Sequence, residues 1–292
     1  MAEITQKALN LWATQLVPSL FPFMLITNLF TPFLSKLLLK KSQKFNFISY
    51  KIFGLSPYGM YIFFIGQISG YPIGAKLTAA AYSQNHISKS EAHYLLTICN
   101  QSSPAFLEFY VGSFALQNNI SIASLFIIFY SSIFMTLFIT KKIYKPIPLS
   151  NHDAIHSYST QTFFQQLDFC ILNSSKTMIR IGGYILFFAL IIDFISPLRY
   201  INQNIYYLAA SVLELTNGLS ILKSHFIDRA SYHYLVLGLT AFGGFCTMAQ
   251  IKGMLVGTFL SVKPYLIGKI IYTIIVLMIY QLFSYIQIFF CI

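Results

Sequence analysis

Charged residues make up only 9% of these 292 positions, and acids are scarcer still, with 8 Asp and Glu against 19 Lys and Arg. A water-soluble domain of this length could not cover its surface with so few of the side chains that normally stay outside. No cysteines are spaced as CxxC. Cys99, Cys170, Cys246 and Cys291 are scattered, three of them in apolar sequence, which argues against a disulfide framework and against a zinc site and for small buried hydrophobes. There is no HExxH, no GxSxG, no phosphate-binding loop and no paired-carboxylate site outside the apolar segments, so no catalysis, cofactor or metal is expected. The chain opens with Glu3 and Lys7 rather than a basic stretch, a short apolar core and a small-residue cleavage site, so no removable signal peptide is expected.

What fills the space is apolar. Hydrophobic residues reach 56% and aromatics 17%, and the mean hydropathy is +0.66. That composition predicts an all-α, polytopic integral membrane protein. The formal charge of +11 falls in short runs between apolar segments. This is the pattern of loops held on the cytoplasmic side, not of a nucleic-acid-binding surface.

Along the chain, residues 8–30 are long enough to span, with Pro18 and Pro22 expected to bend them. A basic linker follows at 31–51, carrying Lys36, Lys40, Lys41, Lys44 and Lys51, with leucines that would let it lie along the headgroups. From 56 to 84 there are two apolar helices of about a dozen residues, and a dozen residues rise only about 18 Å, too little to cross. The expectation is a re-entrant hairpin with its tip at Ser69-Gly70-Tyr71-Pro72-Ile73-Gly74. Ser88 and Glu91 read as a capping box for the next helix. That span, 88–117, breaks at Asn100-Gln101-Ser102-Ser103 and restarts with Ser103 as cap and Pro104 as first helical residue. Residues 120–140 cross back, ending at Lys141, Lys142 and Lys145. A polar linker at 146–162 divides the chain. An interfacial helix at 163–176 and a span at 177–195 open the second half, with Gly182-Gly183 for close helix contact.

The second half reads as a repeat of the first. Adding about 140 to the numbering carries Ser56-Pro57 onto Ser196-Pro197, His93-Tyr94-Leu95 onto His233-Tyr234-Leu235, and the Asn100 to Pro104 break onto Thr240 to Gly244. The order of elements also recurs: a hairpin at 205–224 with tip Glu214-Leu215-Thr216-Asn217-Gly218, a broken span at 231–261 and a last span at 265–290. Three crossings per half turn the halves upside down relative to each other. Eleven of the nineteen basic residues then fall inside and four (Lys7, Arg199, Lys223, Arg229) outside, while Lys76, Arg180, Lys252 and Lys269 lie within or at the edges of apolar segments. Inverted repeats with paired hairpins and broken helices are an architecture of secondary transporters, elevator-like ones here, with solute held near the midplane.

An unpaired backbone group in hydrocarbon costs several kcal/mol, so clustered helix breakers inside lipid-grade sequence mark a cavity. The candidate substrate-binding residues are Ser69, Gly70, Tyr71, Gly74, Lys76, Asn100, Gln101, Ser102 and Ser103 in the first half, and Glu214, Thr216, Asn217, Gly243, Gly244, Thr247 and Gln250 in the second. Helix starts near Ile73 and Pro104, with equivalents after Gly218 and Gly244, would aim free amides and partial positive charge at one region. Lys76 would either add a full charge or pair with a carboxylate such as Glu108 or Glu214. Such a cage suits a small carboxylate. A neutral nucleoside would instead draw on Glu214, Asn217, Asn100 and Gln101.

Pro18-Ser19-Leu20-Phe21-Pro22-Phe23, Ser69-Gly70-Tyr71-Pro72-Ile73-Gly74-Ala75-Lys76, the Asn100/Ser102/Pro104 break, Leu213-Glu214-Leu215-Thr216-Asn217-Gly218 and Phe242-Gly243-Gly244 with Gln250 together resemble the YlbJ family of sporulation integral membrane proteins. That family belongs to the nucleoside-recognition Gate group, distantly similar to concentrative nucleoside transporters. The resemblance covers most of the chain. It implies a multi-pass protein of the bacterial cell membrane or outer forespore membrane, implicated in moving dipicolinic acid toward the forespore. The expected partners are therefore a small anionic solute and the lipid bilayer, with no nucleic acid and with homo-oligomer formation left open. A nucleoside carrier of the same fold, and a non-transporting sporulation scaffold or channel subunit, are the alternatives.

Overall fold

The computed structural model describes residues 2–39, 49–149, 162–229 and 231–290, so the basic stretch at 40–48, the polar linker at 150–161 and Cys291 lie outside the described residues. Everything described is helix or short connection. Among the described residues four helices are long and apolar enough to cross a membrane: Ile122–Tyr144, Phe163–Phe194, Tyr232–Met254 and Lys263–Ile286. A fifth candidate is the bent pair Thr5–Leu16 and Leu20–Phe30, whose halves meet at 47°.

The bent pair begins with α1 (Ala2–Leu11), passes through a wider π turn at Trp12–Leu16 and continues as α2 (Val17–Leu39). The bend falls where Pro18 removes an amide from the helical ladder. Trp12 at the bend donates from Nε1 to the carbonyl of Met178 at 3.2 Å. Its ring lies where a Cβ on Gly182 would come within 2.7 Å of it, whereas a Cβ on Gly183 would meet nothing within 4 Å. Only the first glycine of that expected pair serves a close contact.

Next come α3 (Pro57–Ser69) and α4 (Ile73–Ser83), two short antiparallel helices packed on each other. Pro57 occupies the first helical position of α3, and the Ser56 hydroxyl accepts from the Gly59 amide at 3.0 Å. The chain leaves α3 through Gly70 at φ +72°, a conformation that suits glycine. α5 (Lys89–Ile98) follows, then an irregular stretch from Cys99 to Ser103, then a π-helical segment, Phe106–Ala115. The Ser103 hydroxyl caps the restart by accepting from the Phe106 amide at 3.2 Å. The Ser88 hydroxyl caps α5 through the Glu91 amide, but the Glu91 carboxylate does not close a capping box on Ser88. It reaches across to the Ser56 amide at 2.6 Å, fastening the start of α3 to the start of α5.

α6 (Ile122–Tyr144) ends with Lys141 and Lys142 in its last turn and Lys145 in the left-handed region. α7 (Phe163–Phe194) is one continuous helix of 32 residues, opened by a Thr162/Gln165 capping box, where an interfacial helix and a separate span were expected. The reason is local: nothing between Lys176 and Thr177 breaks a helix. The turn at Ser196-Pro197 leads into the short α8 (Leu198–Ile201), so these residues do not start the second hairpin as Ser56-Pro57 start the first. That role falls to Asn202, whose Oδ1 accepts from the Ile205 amide at 3.1 Å. The second pair is α9 (Gln203–Leu213) and α10 (Leu215–Phe226), separated by Glu214 alone. α11 (Tyr232–Phe242) and α12 (Gly244–Met254) are joined at Gly243, and α13 (Lys263–Phe290) closes the fold.

The two halves interlock. α13 packs on α5 and α6 from the first half as well as on α11 from the second. A Cβ on Gly268 would stand 2.6 Å from the Thr97 Cα, so only glycine lets α13 approach this closely.

Candidate functional site

The first hairpin tip and the first helix break are built against each other. The Tyr71 amide donates to the Gln101 carbonyl at 3.1 Å, and Gln67 Nε2 donates to the Ile98 carbonyl at 2.6 Å. The Ala75 amide in the first turn of α4 donates to Asn100 Oδ1 at 2.7 Å. Gly70 lies against Ser103, and a Cβ on Gly74 would fall 1.9 Å from the Cys99 carbonyl oxygen. Gly74 and Asn100 therefore join tip to break.

The second tip is organised by its own acid. Glu214 is 3% exposed, and its carboxylate accepts from the Thr216 amide at 3.0 Å, the Thr216 hydroxyl at 2.6 Å and the Asn217 amide at 2.7 Å. A carboxyl group already caps the positive end of α10. Of the four helix starts expected to offer free amides, α4 is served by Asn100, the restart at Pro104 by Ser103, and α10 by Glu214. α12 has no side-chain cap, and Gly243 and Gly244 in front of it have φ +84° and +78°.

Residues from both halves line one small cavity of about 40 Å³. Its polar wall is Ser69, Gly70, Tyr71 and Ser103 from the first half, with Glu214, Thr216, Thr247 and Gln250 from the second. Its apolar wall comes from Leu16, Leu20 and Met24 on the bent first span, Ile181 and Ile185 on α7, and Phe106 and Leu215. Gln250 is 3% exposed and its Oε1 has no hydrogen-bond partner, although Nε2 lies 3.4 Å from the Cys246 sulfur. Buried acceptors are seldom left so, and this one is available to whatever enters.

Eight predicted residues lie off the cavity wall: Gly74 and Asn100 at the tip-to-break joint, Gly243 and Gly244 at the start of α12, and Ser102, Gln101, Asn217 and Lys76. Ser102 donates to the Thr240 carbonyl at 3.4 Å, joining the two breaks. Gln101 is buried and turned toward α13. Asn217 keeps an unpartnered Nδ2 beside the Glu214 cap. Among the described residues Lys76 pairs with no carboxylate: its ammonium donates to Asn173 Oδ1 on α7 at 2.6 Å, within electrostatic range of Lys176 and Arg180.

The residue that pattern reading left unassigned is Lys269. It is 1% exposed, and its ammonium donates to Gln101 Oε1 at 2.7 Å and to the Ala241 carbonyl at 3.1 Å, bridging the two breaks. The rings of Tyr71, Tyr265 and Tyr272 surround it, their centroids 5.9, 5.8 and 5.6 Å from Nζ. A lysine inside the last apolar span, near its start, was the available signal, because an ionisable group within apolar sequence is rare unless it has a task.

These elements define a multi-pass helical membrane protein in which interrupted helices from both halves of the chain meet around a small internal polar site. In sequence the chain is similar to the sporulation integral membrane protein YlbJ of Bacillus subtilis (strain 168), with 25% identity over 311 residues covering 92% of this chain and 74% of that protein. The similarity is distant and agrees with the resemblance to the YlbJ family that the motifs carry. No family profile matches the chain. No solved structure matches it either.

Proposed function

We propose that this protein is a carrier, not an enzyme, and that it moves a small carboxylate, dipicolinate or a close analogue, by alternating access at the cavity between its two hairpin tips. In this reading α3–α4 and α9–α10 are re-entrant hairpins of two inverted repeats. Together with the two broken spans they form a unit that moves against the remaining helices, as in an elevator. The observation that carries the proposal is the cavity wall itself, to which both tips, the first break, α12 just past the second break and two flanking spans contribute. In lipid, helix interruptions are tolerated only where protein or a water-filled space satisfies them. Lys76, Lys176 and Arg180 are near one another on the α4 and α7 side, a positive approach that favours an anion over a neutral solute.

A nucleoside carrier of the same fold is the second reading, and the unpartnered Gln250 Oε1 favours it, since a nucleoside brings donors. Purified protein tested by thermal shift against dipicolinate, other small carboxylates and nucleosides separates the two. Selective stabilisation by carboxylates, followed by uptake of the same compound into proteoliposomes, is the expected result. Stabilisation by nucleosides alone would transfer the assignment to the second reading, and an equal response to all would remove both.

A further inference from the structure

Resting on the carrier reading, we propose that Lys269 is the residue that makes the site prefer negatively charged solutes, by giving up its bonds to Gln101 and Ala241 for a solute carboxylate. The ammonium is buried, and among the described residues its hydrogen-bond partners are a side-chain amide and a backbone carbonyl, both neutral. Buried charges are ordinarily paired, because neutral acceptors return only part of the hydration that burial removes. Among the described residues the buried carboxyl groups bond elsewhere, Glu214 to the start of α10 and Glu91 to the Ser56 amide. The Lys269 amine is therefore held inside the molecule with no hydrogen bond to a carboxylate among the described residues.

Its position links that charge to the cavity. The ammonium stands 5.9 Å from the centre of the Tyr71 ring, and Tyr71 lines the cavity. Another neighbouring ring, Tyr265, has its hydroxyl 3.2 Å from the Thr247 hydroxyl, and Thr247 lines the cavity too. A lysine ammonium rides on a flexible four-carbon stem and can shift without moving its backbone, which Gly268 holds tightly against Thr97. Both present acceptors belong to helix breaks, one from each half of the chain. Exchanging them for a solute oxygen would loosen the bridge between the breaks at the moment of loading.

The test compares two ligands of one shape, pyridine-2,6-dicarboxylate and pyridine-2,6-dicarboxamide, by titration calorimetry on the purified full chain. The wild type is expected to bind the dicarboxylate more tightly. Lys269→Met is expected to weaken the dicarboxylate by about tenfold or more, the range for loss of a hydrogen bond to a charged group, while leaving the diamide unchanged or improved. Equal loss of both ligands would assign Lys269 a purely structural role and overturn the proposal, as would a Lys269→Met protein that keeps the dicarboxylate preference. Should Lys269→Met fail to fold, Gln101→Leu decides. Removing one neutral partner should tighten dicarboxylate binding, and an unchanged or weaker affinity counts against the proposal. A wild type that binds both ligands alike overturns this inference alone, whereas one that binds neither overturns the carrier reading beneath it.

Discussion

Glu214, expected from sequence to bind solute, has a further occupation as the cap of α10. Its polar neighbourhood is legible, and its place on the cavity wall follows from the expected tip. Its three bonds to Thr216 and Asn217 are not legible, because a cap is recognised in sequence by Ser, Thr, Asn or Asp far more readily than by Glu. Glu214→Ala should therefore lower stability by about 1–2 kcal/mol, the usual cost of a lost cap, and Glu214→Gln by less. Chemical denaturation in mixed micelles would measure both. Equal stability of Glu214→Ala and wild type would mean the cap does not hold α10. Lys269 is the opposite case, visible as a lone lysine in apolar sequence yet unassigned, because only folding brings residue 269 to residue 101.

At the scale of elements, the short helices, their breaks and the serine caps at Ser88 and Ser103 were legible from composition and breakers alone, whereas the Ser56 cap was not. Boundaries without a local signal were not. The joint between an interfacial helix and a span at residue 176 does not exist. The second helix pair, expected at 205–224, begins after the Asn202 cap, while Ser196-Pro197, which match Ser56-Pro57 in sequence, lead instead into a separate short helix. The strongest prediction at this scale concerns the tip-to-break joint. Gly74→Ala would put a methyl 1.9 Å from the Cys99 carbonyl oxygen, with backbone on both sides unable to yield. Overpacking of this kind costs about 1–3 kcal/mol. The variant should melt well below wild type and fail to bind solute. Gly183→Ala, where a Cβ meets nothing within 4 Å, serves as the silent control. A Gly74→Ala protein as stable as that control would show that α3, α4 and the break are not packed as described.

For the whole molecule, the membrane class was plain from charge scarcity. The meeting of both halves was expected from the repeat and is seen in the bonds of Ser102 to Thr240 and of Lys269 to Gln101 and Ala241. Motion of the hairpin unit against the flanking helices can be tested where the two touch. Lys76 on α4 meets Asn173 on α7. Cysteines at these two positions, joined by a short bifunctional thiol reagent, should arrest uptake into proteoliposomes while preserving solute binding, and full uptake after complete crosslinking would exclude an elevator stroke between these helices.

The cavity, at about 40 Å³, has room for a few water molecules and not for a bicyclic base or a pyridine ring with two carboxylates. On the carrier reading, the protein must widen before solute enters, and that fluctuation would set a ceiling on how fast loading proceeds however much solute is offered. Stopped-flow association should accordingly level off with rising concentration instead of climbing in proportion, and the plateau would report the spontaneous opening rate of the empty protein.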